Sequence, residues 1–319
     1  MFNATSRRTF TTGLLGGLGT LALPLTGQAQ PRIPQRPSAR VIVDNDFAGD
    51  PDGLVALAHQ LLAEKTRTVL VTVSLLDPKL STYPPGTATR EGAKLAADLL
   101  ARIPSARGTP VRAGRDGVAS TIPSEAAKAI VAEAMRDDPL PLIFTCGGPL
   151  TNLADALALE PRIASRLSVV WIGGGAWPDG GWEYNLATDI EAARHVIEQT
   201  AMPIMQVPQN AYRQMQMSVA ELAADMRSIS PLGRWLYDRF TNPPAFVDLG
   251  GTWPMGDSPL VLLTALTTES SRWVDRPARQ IKADCTYGDE IPGRTIRVFE
   301  TIDARLVWAD FLARLRLAA

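Results

Sequence analysis

The sequence contains very little of the two residue types that most often bind transition metals or form a nucleophile–base pair. Only two cysteines, Cys146 and Cys285, and two histidines, His59 and His195, occur among its 319 residues. No Cys/His cluster has the spacing of a zinc site, and a Ser-His-Asp triad is poorly supported because both histidines fall inside helix-like segments. The cysteines allow at most one disulfide, and the sequence leaves open whether they pair.

The chain also lacks an excess of charge of either sign. It has 32 Lys and Arg against 33 Asp and Glu, which gives a formal net charge of -1. A nucleic-acid partner would require a concentrated basic face, so we expect a small-molecule substrate and no nucleic acid. A hydrophobic content of 45% and a mean hydropathy near zero are typical of a globular protein.

Near the N-terminus, no apolar run is long enough to cross a bilayer comfortably. The stretch from Leu14 to Leu25 is shorter than the roughly 20 residues that a spanning helix needs. It follows a twin-arginine pattern at residues 6–10 (SRRTF) and precedes small residues at 27–29 (GQA). We therefore predict a twin-arginine signal peptide over residues 1–29, with no stable membrane anchor. This predicts export in the folded state to a periplasm or to the outside of the cell; the alternative is a disordered basic leader.

After a Pro-rich linker at residues 30–39, the pattern predicts a single α/β domain over residues 40–319. Short β-branched runs such as 68–74 alternate with helical patterns such as 90–102. Such alternation predicts a mainly parallel sheet with helices on both faces. Near the C-terminus we expect two strands over residues 280–299, joined by a turn at Gly288 to Gly293, and then a final amphipathic helix.

The segment richest in chemistry is the Asp-rich loop, residues 44–53 (DNDFAGDPDG), between a predicted strand and a predicted helix. Its four carboxylates, on Asp44, Asp46, Asp50 and Asp52, lie within nine residues. They repel one another unless a cation or hydrogen-bond donors compensate, and carboxylate oxygens suit Ca²⁺ or Mg²⁺. The alternative is a solvated acidic turn in which Asp50 or Asp52 caps the helix.

Three further segments carry candidate ligands. Residues 147–152 (GGPLTN) form a Gly-rich turn after a strand, where a backbone carbonyl could approach a ligand; Thr151 or Asn152 as a helix cap explains it equally well. Glu183 and Asn185 are spaced so that both could hydrogen-bond ribose hydroxyls. Asp257 stands at a predicted helix start, where it could equally be a simple N-cap.

In order and spacing these four segments together resemble the inosine/uridine-preferring nucleoside hydrolase family. The Asp-rich loop is similar to that family's N-terminal Asp motif, and residues 148–152 (GPLTN) match a family signature. Residues 183–185 (EYN), followed by 189–193 (DIEAA), resemble the family's Glu-Phe-Asn and Asp-Pro-Glu-Ala-Ala, and Asp257 resembles the aspartate that closes the metal site. The resemblance runs from about Arg40 to the C-terminal helix.

The resemblance implies hydrolysis of the N-glycosidic bond of ribonucleosides at a calcium–carboxylate site. Asp46 would bind Ca²⁺ and act as general base on the attacking water. The implied metal ligands are Asp46, Asp50, Asp52, the backbone carbonyl of Gly147, and Asp257. The implied substrate-binding residues are Asp50, Asn152, Glu183 and Asn185. The family resemblance also suggests a homodimer or a homotetramer.

That chemistry is physically reasonable for an Asp-rich site. Departure of the base leaves an oxocarbenium-like sugar cation, which surrounding carboxylates stabilise. A metal-bound water has a lowered pKa, and a metal that binds vicinal hydroxyls fixes the sugar for attack. A preference for ribose over 2'-deoxyribose follows.

Two positions depart from the family pattern and keep other functions open. The family usually ends the Asp motif with two adjacent aspartates, but here the second place is Gly53; Asp50 is a candidate replacement. Many members place His before the closing Asp, where this chain has Gly256, so leaving-group protonation must come from elsewhere. The side chains considered for stacking on the leaving base are Trp177, Trp182 and Trp253.

One alternative is a ribose- or nucleoside-binding protein on a degenerate hydrolase fold. Another is an Asp-nucleophile phosphatase of the haloacid dehalogenase type, with Asp44 to Asp46 following a strand and Asp257 later in the chain. The phosphatase alternative leaves the segment at 183–185 unexplained. It also has Val261 where a second late acid is expected.

Overall fold

The structure is a computed structural model, and it describes residues 33–79, 81–118, 123–243, 247 and 249–319. The predicted signal peptide lies outside these residues, as does the first part of the predicted linker. The chain divides into two units, Met1–Pro34 and Gln35–Ala319. All elements below belong to the second unit. Among the described residues, no helix is both long enough and apolar enough to span a membrane.

The strands and helices alternate as the sequence predicts over most of the chain. The strands are β1 Ala39–Asn45, β2 Thr66–Val73, β3 Val111–Ala113, β4 Leu142–Cys146, β5 Leu167–Ile172, β6 Ile204–Val207, β7 Gln216–Ser218, β8 Thr252–Pro254, β9 Arg272–Ile281 and β10 Tyr287–Thr301. The helices are α1 Asp52–Leu62, α2 Ala88–Arg102, α3 Glu125–Met135, α4 Thr151–Leu159, α5 Tyr184–Thr188, α6 Ile190–Glu198, α7 Gln209–Tyr212, α8 Val219–Glu221, α9 Arg227–Ile229, α10 Pro231–Tyr237, α11 Pro259–Val261 and α12 Ala304–Leu317. Short 3₁₀ turns occupy Pro104–Ala106, Pro161–Ser165 and Asp238–Phe240, and single π turns occupy Leu222–Met226 and Leu262–Leu266.

Within the described residues, eight strands form one sheet in the order β3-β2-β1-β4-β5-β6-β10-β9. All neighbouring pairs are parallel except β9 with β10, which are antiparallel. Strands β7 and β8 form a separate antiparallel pair. The chain builds outward from β1 to β3 and then returns to the other side of β1 with β4. The carboxyl ends of β1 and β4 therefore meet at a topological switch point, where ligands bind in open α/β sheets.

Hydrophobic cores cover both faces of the sheet, which confirms the predicted fold class. Val41 and Val43 of β1 pack in one core with apolar residues of α1, α2 and α12. Ile42 packs in the other core with residues of α3, α4 and α6. Successive residues of a strand point to opposite faces, so a strand covered on both sides reads as a continuous apolar run.

The turn of the C-terminal hairpin lies earlier than the sequence analysis placed it. Residues 282–286 make the turn, whereas Gly288 and Gly293 both fall inside β10. Asp284 explains the difference, because its Oδ1 accepts hydrogen bonds from the backbone N–H and the hydroxyl of Thr286. Cys285 sits in this turn with a left-handed φ of 66°. It is a free cysteine, as is Cys146, so the two do not form a disulfide.

Candidate active site

The Asp-rich loop and the Gly-rich turn lie side by side at the switch point. Asp44 and Cys146 are register partners in the parallel β1–β4 pair. One residue further on, the N–H of Gly147 donates to the carbonyl of Asp44 at 3.0 Å. The sheet register therefore brings together two segments that lie about 100 residues apart in the chain.

Asp44 is fully buried and is fixed from two sides. Its Oδ2 accepts from the Thr72 hydroxyl at 2.5 Å and from the Asn152 side-chain amide at 2.7 Å. Burial raises the pKa of Asp44 to about 6, and these hydrogen bonds lower it in part. Asp44 thus links β1 to β2 and to the start of α4, and it lies at the bottom of the site.

Three more buried carboxylates, those of Asp46, Asp52 and Asp257, lie close together near Asp44. The pKa of Asp46 and of Asp52 is held well above the ordinary value, first by burial and then by the charges of Asp257 and Asp50. Burial raises the pKa of Asp257 to about 7, opposed by a hydrogen bond from Asn45. Within the part of the chain that the structure describes, no Lys, Arg or His forms an ion pair with these carboxylates. Their mutual repulsion is therefore left for a bound cation or for protons to relieve.

The acids of the loop do not serve as helix caps. Helix α1 begins after Pro51 without a side-chain cap, and Asp50 makes only a 3.5 Å contact with the N–H of Asp52. The Oδ2 of Asp52 accepts instead from the N–H of Asp257 at 3.1 Å. Asp50 is exposed, and its Oδ1 accepts from the Trp253 indole at 2.8 Å. The solvated acidic turn therefore does not describe this loop.

Neither of the two later candidates, Asp257 and the Gly-rich turn, is explained by capping. Helix α4 has no side-chain cap, because the Thr151 hydroxyl donates to Asp189 and the Asn152 amide donates to Asp44 and to the Val73 carbonyl. Helix α11 also begins without a side-chain cap, so Asp257 is free to face the other carboxylates.

Two glycines at the site are required by close packing. A Cβ on Gly147 would lie 2.2 Å from Nδ2 of Asn45 and 2.7 Å from Cγ of Asp257. A Cβ on Gly53 would lie 2.6 Å from Oδ1 of Asn45. The Asn45 side chain therefore fills the space in which a side chain at position 53 would begin, and sequence analysis did not single out this residue.

The segment at 183–185 lies next to the acids but is already hydrogen-bonded within the protein. Glu183 is buried; its Oε2 accepts from the N–H groups of Gly174 and Leu186, and its Oε1 accepts from the Tyr212 hydroxyl at 3.1 Å. Burial raises its pKa. The amide of Asn185 donates to the Ile172 carbonyl at 2.8 Å. In this arrangement the hydrogen bonds of both side chains stabilise the protein segment beside the acids.

The tryptophans considered for base stacking differ in their surroundings. Trp182 is exposed, with 61% of its surface accessible. Trp177 packs against Tyr287 at 4.8 Å between ring centroids and donates to Gln206. Trp253 is buried against Phe240. Of the three, only Trp182 is largely free to meet a ligand.

Tyr212 is a second residue that sequence analysis missed. A Cβ on Gly256 would lie 3.1 Å from the ring of Tyr212. Tyr212 therefore lies next to the position at which many family members have His. No motif marks Tyr212, since it lies 44 residues before Gly256 and meets it only in the fold.

The donor set of the site fits a hard divalent cation. Carboxylate and amide oxygens are the ligands that Ca²⁺ prefers, and the Oδ1 of Asn45 is a buried oxygen with no hydrogen-bond partner. In the ranges that the structure describes, no group of three or more His, Cys, Asp or Glu side chains is already arranged to hold a metal ion. A cation at this site therefore requires small movements of the acids, neutral oxygens, or both.

Comparison with known proteins agrees with this geometry. A family model described as inosine-uridine preferring nucleoside hydrolase matches residues 41–308. A pyrimidine-specific ribonucleoside hydrolase RihA from Salmonella arizonae is 30% identical over 118 residues, covering 34% of this chain and 38% of the relative. The RihA of Citrobacter koseri is 33% identical over 101 residues, covering 29% of this chain and 32% of the relative. The alignments thus span less than half the length of these curated relatives.

Solved structures share the fold at low sequence identity. The plant nucleoside hydrolase PpNRh1 has a TM-score of 0.69 at 18% identity, covering 88% of this chain and 99% of its own. An inosine-uridine preferring nucleoside hydrolase from Bacillus anthracis has a TM-score of 0.66 at 18% identity, covering 88% of this chain and 100% of its own. On the family match over most of its length, together with this fold, the chain belongs to the inosine-uridine preferring nucleoside hydrolase family.

Proposed function

We propose that this protein hydrolyses the N-glycosidic bond of ribonucleosides and releases ribose and the free base. The observation that carries the proposal is the convergence of three buried carboxylates, Asp46, Asp52 and Asp257, at the switch point of a nucleoside hydrolase fold. The relatives named above differ in the base that their names specify. The proposal therefore concerns the ribonucleoside class.

The proposed cofactor is Ca²⁺, bound by Asp46, Asp52, Asp257 and the carbonyl of Gly147. When bound, the ion lowers the pKa of a water and binds vicinal sugar hydroxyls. Burial and, after it, like-charge repulsion raise the pKa of Asp46 and Asp52, and a cation offsets both effects, which restores the ionised forms. Asp50, which is exposed and accepts a hydrogen bond from Trp253, is the proposed contact to the sugar.

In the proposed reaction Asp46 accepts the proton of the attacking water. The surrounding carboxylates stabilise the positive charge that builds on the sugar as the base departs. Glu183 and Asn185 form the wall against which the sugar lies. Asn152 acts through Asp44, to which it donates, and holds the acidic loop in place.

Export by the twin-arginine route is part of the proposal and rests on residues 1–29 alone. Folded export is consistent with a protein that carries a metal. The test is fractionation of cells that express the full chain and a variant with Arg7 and Arg8 replaced by Lys. Loss of the exported form in the variant supports the route, and unchanged export contradicts it.

The activity is tested by measuring ribose release from a panel of ribonucleosides and 2'-deoxyribonucleosides, with calcium and with a chelator. We expect calcium-dependent release from ribonucleosides. In Asp46→Asn we expect a fall in kcat of at least about 10²-fold, because the general base is lost. Asp275→Asn, an exposed acid paired with Arg297, is the matched control and keeps wild-type activity.

The binding-protein alternative predicts a different result from the same panel. It requires that ribose or a nucleoside raise the unfolding temperature in the presence of calcium while no reducing sugar is released from any compound.

A further inference from the structure

Asn45 is a buried side chain at the site whose oxygen has no assigned role. It is 1% exposed, and its Nδ2 donates to Oδ2 of Asp257 at 2.9 Å. Its Oδ1 is buried and has no hydrogen-bond partner. A buried amide oxygen without a hydrogen-bond partner lowers stability, so a retained one needs a reason.

The position of this oxygen coincides with the main departure from the family pattern. The family's second adjacent aspartate is Gly53 here, and a Cβ at position 53 would lie 2.6 Å from Oδ1 of Asn45. The amide oxygen thus occupies the space from which the missing carboxylate would have extended. The residue considered as a replacement, Asp50, is exposed and accepts from Trp253.

We infer that Asn45 supplies, through Oδ1, the cation ligand that the family's second aspartate would have supplied, and that Gly53 exists to make room for it. The inference rests on the proposed calcium site. The hydrogen bond from Nδ2 to Asp257 fixes the amide, and Oδ1 then lies beside Gly53, the residue that follows Asp52. Side-chain amide oxygens are ordinary Ca²⁺ ligands.

The exchange of a carboxylate for an amide changes the charge of the site. With Asn45 in place of a second adjacent aspartate, the ligand set carries one negative charge fewer. Ligand charge count is one of the quantities that sets calcium affinity. The chain is therefore expected to bind calcium more weakly than a variant that carries a carboxylate at this point.

The experiment is calorimetric titration of the chelator-treated full-length protein with CaCl₂ alone, together with calcium-induced shifts of the unfolding temperature. Asn45→Ala is expected to weaken calcium binding by about 10- to 100-fold. Thr68→Val is the control, because it removes another buried oxygen without a partner, on β2 away from the acids, and leaves calcium affinity unchanged. The double variant Asn45→Ala/Gly53→Asp is expected to recover binding, since the alanine vacates the space that a side chain at position 53 needs.

Asn45→Asp decides the matter if Asn45→Ala does not fold. It keeps an oxygen at the same point, loses the donor to Asp257 and adds one negative charge to the ligand set, so the inference predicts calcium affinity at least equal to that of the wild type. A weaker affinity in Asn45→Asp, or an unchanged affinity in Asn45→Ala, overturns the inference, as does a wild-type protein that binds no calcium. Ribose release is measured separately, so that the two proposals can fail independently. If the wild type releases ribose but Asn45→Ala has unchanged calcium affinity, only the ligand role of Asn45 is rejected. If calcium binding depends on Asn45 but the wild type releases no ribose, only the proposed hydrolase activity is rejected.

Discussion

The Oδ2 of Asp52 accepts a hydrogen bond from the backbone N–H of Asp257 at 3.1 Å, although 205 positions separate the two residues. This contact joins the start of α1 to the segment before α11 and holds two carboxylates close together. The Asp257 charge raises the pKa of Asp52 after burial has already done so. The fold therefore fixes an arrangement of acids that is unfavourable unless protons or a cation are present.

The first prediction concerns the stability of the calcium-free protein. The pKa values of Asp44 and Asp257 in the folded protein are about 6 and about 7, against an ordinary value of 3.8. As pH rises above about 4, the unfolded chain loses these protons, whereas the folded protein retains them up to about pH 6 at Asp44 and about pH 7 at Asp257. Stability therefore falls over this window. In chelator, we expect the unfolding temperature to drop by several degrees between pH 5 and 7.

Saturating calcium should remove most of that drop, because the cation favours the ionised carboxylates of the folded state. Scanning calorimetry across the pH range, with calcium and with chelator, measures both slopes. Parallel curves under the two conditions would contradict the coupling of the acids to a cation.

The second prediction concerns His59, which lies in α1 and contacts Asp310 of α12 at 2.8 Å. Burial lowers the pKa of His59 below 6.5, against the opposing effect of Asp310, and Arg314 lowers it further. Between about pH 6.5 and the lowered pKa of His59 in the folded protein, the unfolded chain binds a proton that the folded protein does not bind. This residue therefore destabilises the fold as pH falls.

His59→Gln keeps a hydrogen-bonding group and removes the titration. Between pH 7 and 5 we expect the wild type to lose a few degrees of unfolding temperature relative to this variant. The acids of the site change stability in the opposite direction, so the quantity to compare is the difference between the two proteins at each pH. A constant difference would show that His59 does not titrate in this window. Asp310, whose pKa is lowered by its hydrogen bonds to His59 and Arg314, titrates in the folded protein below its ordinary value of 3.8, outside this window.

The fold was predictable because a parallel strand covered on both faces has a continuous apolar or β-branched sequence. Residues 40–44 and 68–74 read as apolar or β-branched runs, and they became β1 and β2 with ends shifted by one or two positions. The sequence predicts the hairpin turn in the wrong place, because glycine is the usual turn signal and this turn does not depend on it. Asp284 and Thr286 make that turn with side-chain hydrogen bonds that glycine content does not reveal.

At the site, the positions of the acids were predictable and the partners of the acids were not. Asp46 and Asp257 stand at strand and helix ends, where ligand sites form. The links from Asn45 to Gly53 and from Tyr212 to Gly256 depend on close approaches that only the fold defines. Both departures from the family pattern therefore have a structural explanation in the contacts of Asn45, a residue of the Asp-rich loop with no predicted role, and of Tyr212, which lies outside every motif.

The third prediction concerns Tyr212, whose hydroxyl donates to Oε1 of the buried Glu183. In Tyr212→Phe one carboxylate oxygen loses its donor, which raises the pKa of Glu183 further and costs about 1–3 kcal/mol of stability. We expect kcat to fall by more than KM changes, with the pH profile shifted toward higher pH. Tyr237→Phe, a change outside the site, is the comparison. An unchanged profile in Tyr212→Phe would assign Tyr212 to packing alone.

The last prediction separates the two roles considered for Asn152, substrate contact and support of Asp44. Its amide donates to Asp44 at 2.7 Å and to the Val73 carbonyl at 3.1 Å, and the residue is 1% exposed. Asn152→Ala therefore removes a donor from a buried carboxylate and should cost about 1–3 kcal/mol of stability. Thr72→Val removes the other donor to the same oxygen and should behave alike.

If support of Asp44 is the role of Asn152, both variants lose calcium affinity and kcat in similar proportion, while KM for the ribonucleoside changes little. A rise in KM confined to Asn152→Ala would instead place this residue against the sugar. Parallel measurement of unfolding free energy, calcium affinity and steady-state kinetics for the two variants distinguishes these outcomes, because Thr72 reaches the site only through Asp44.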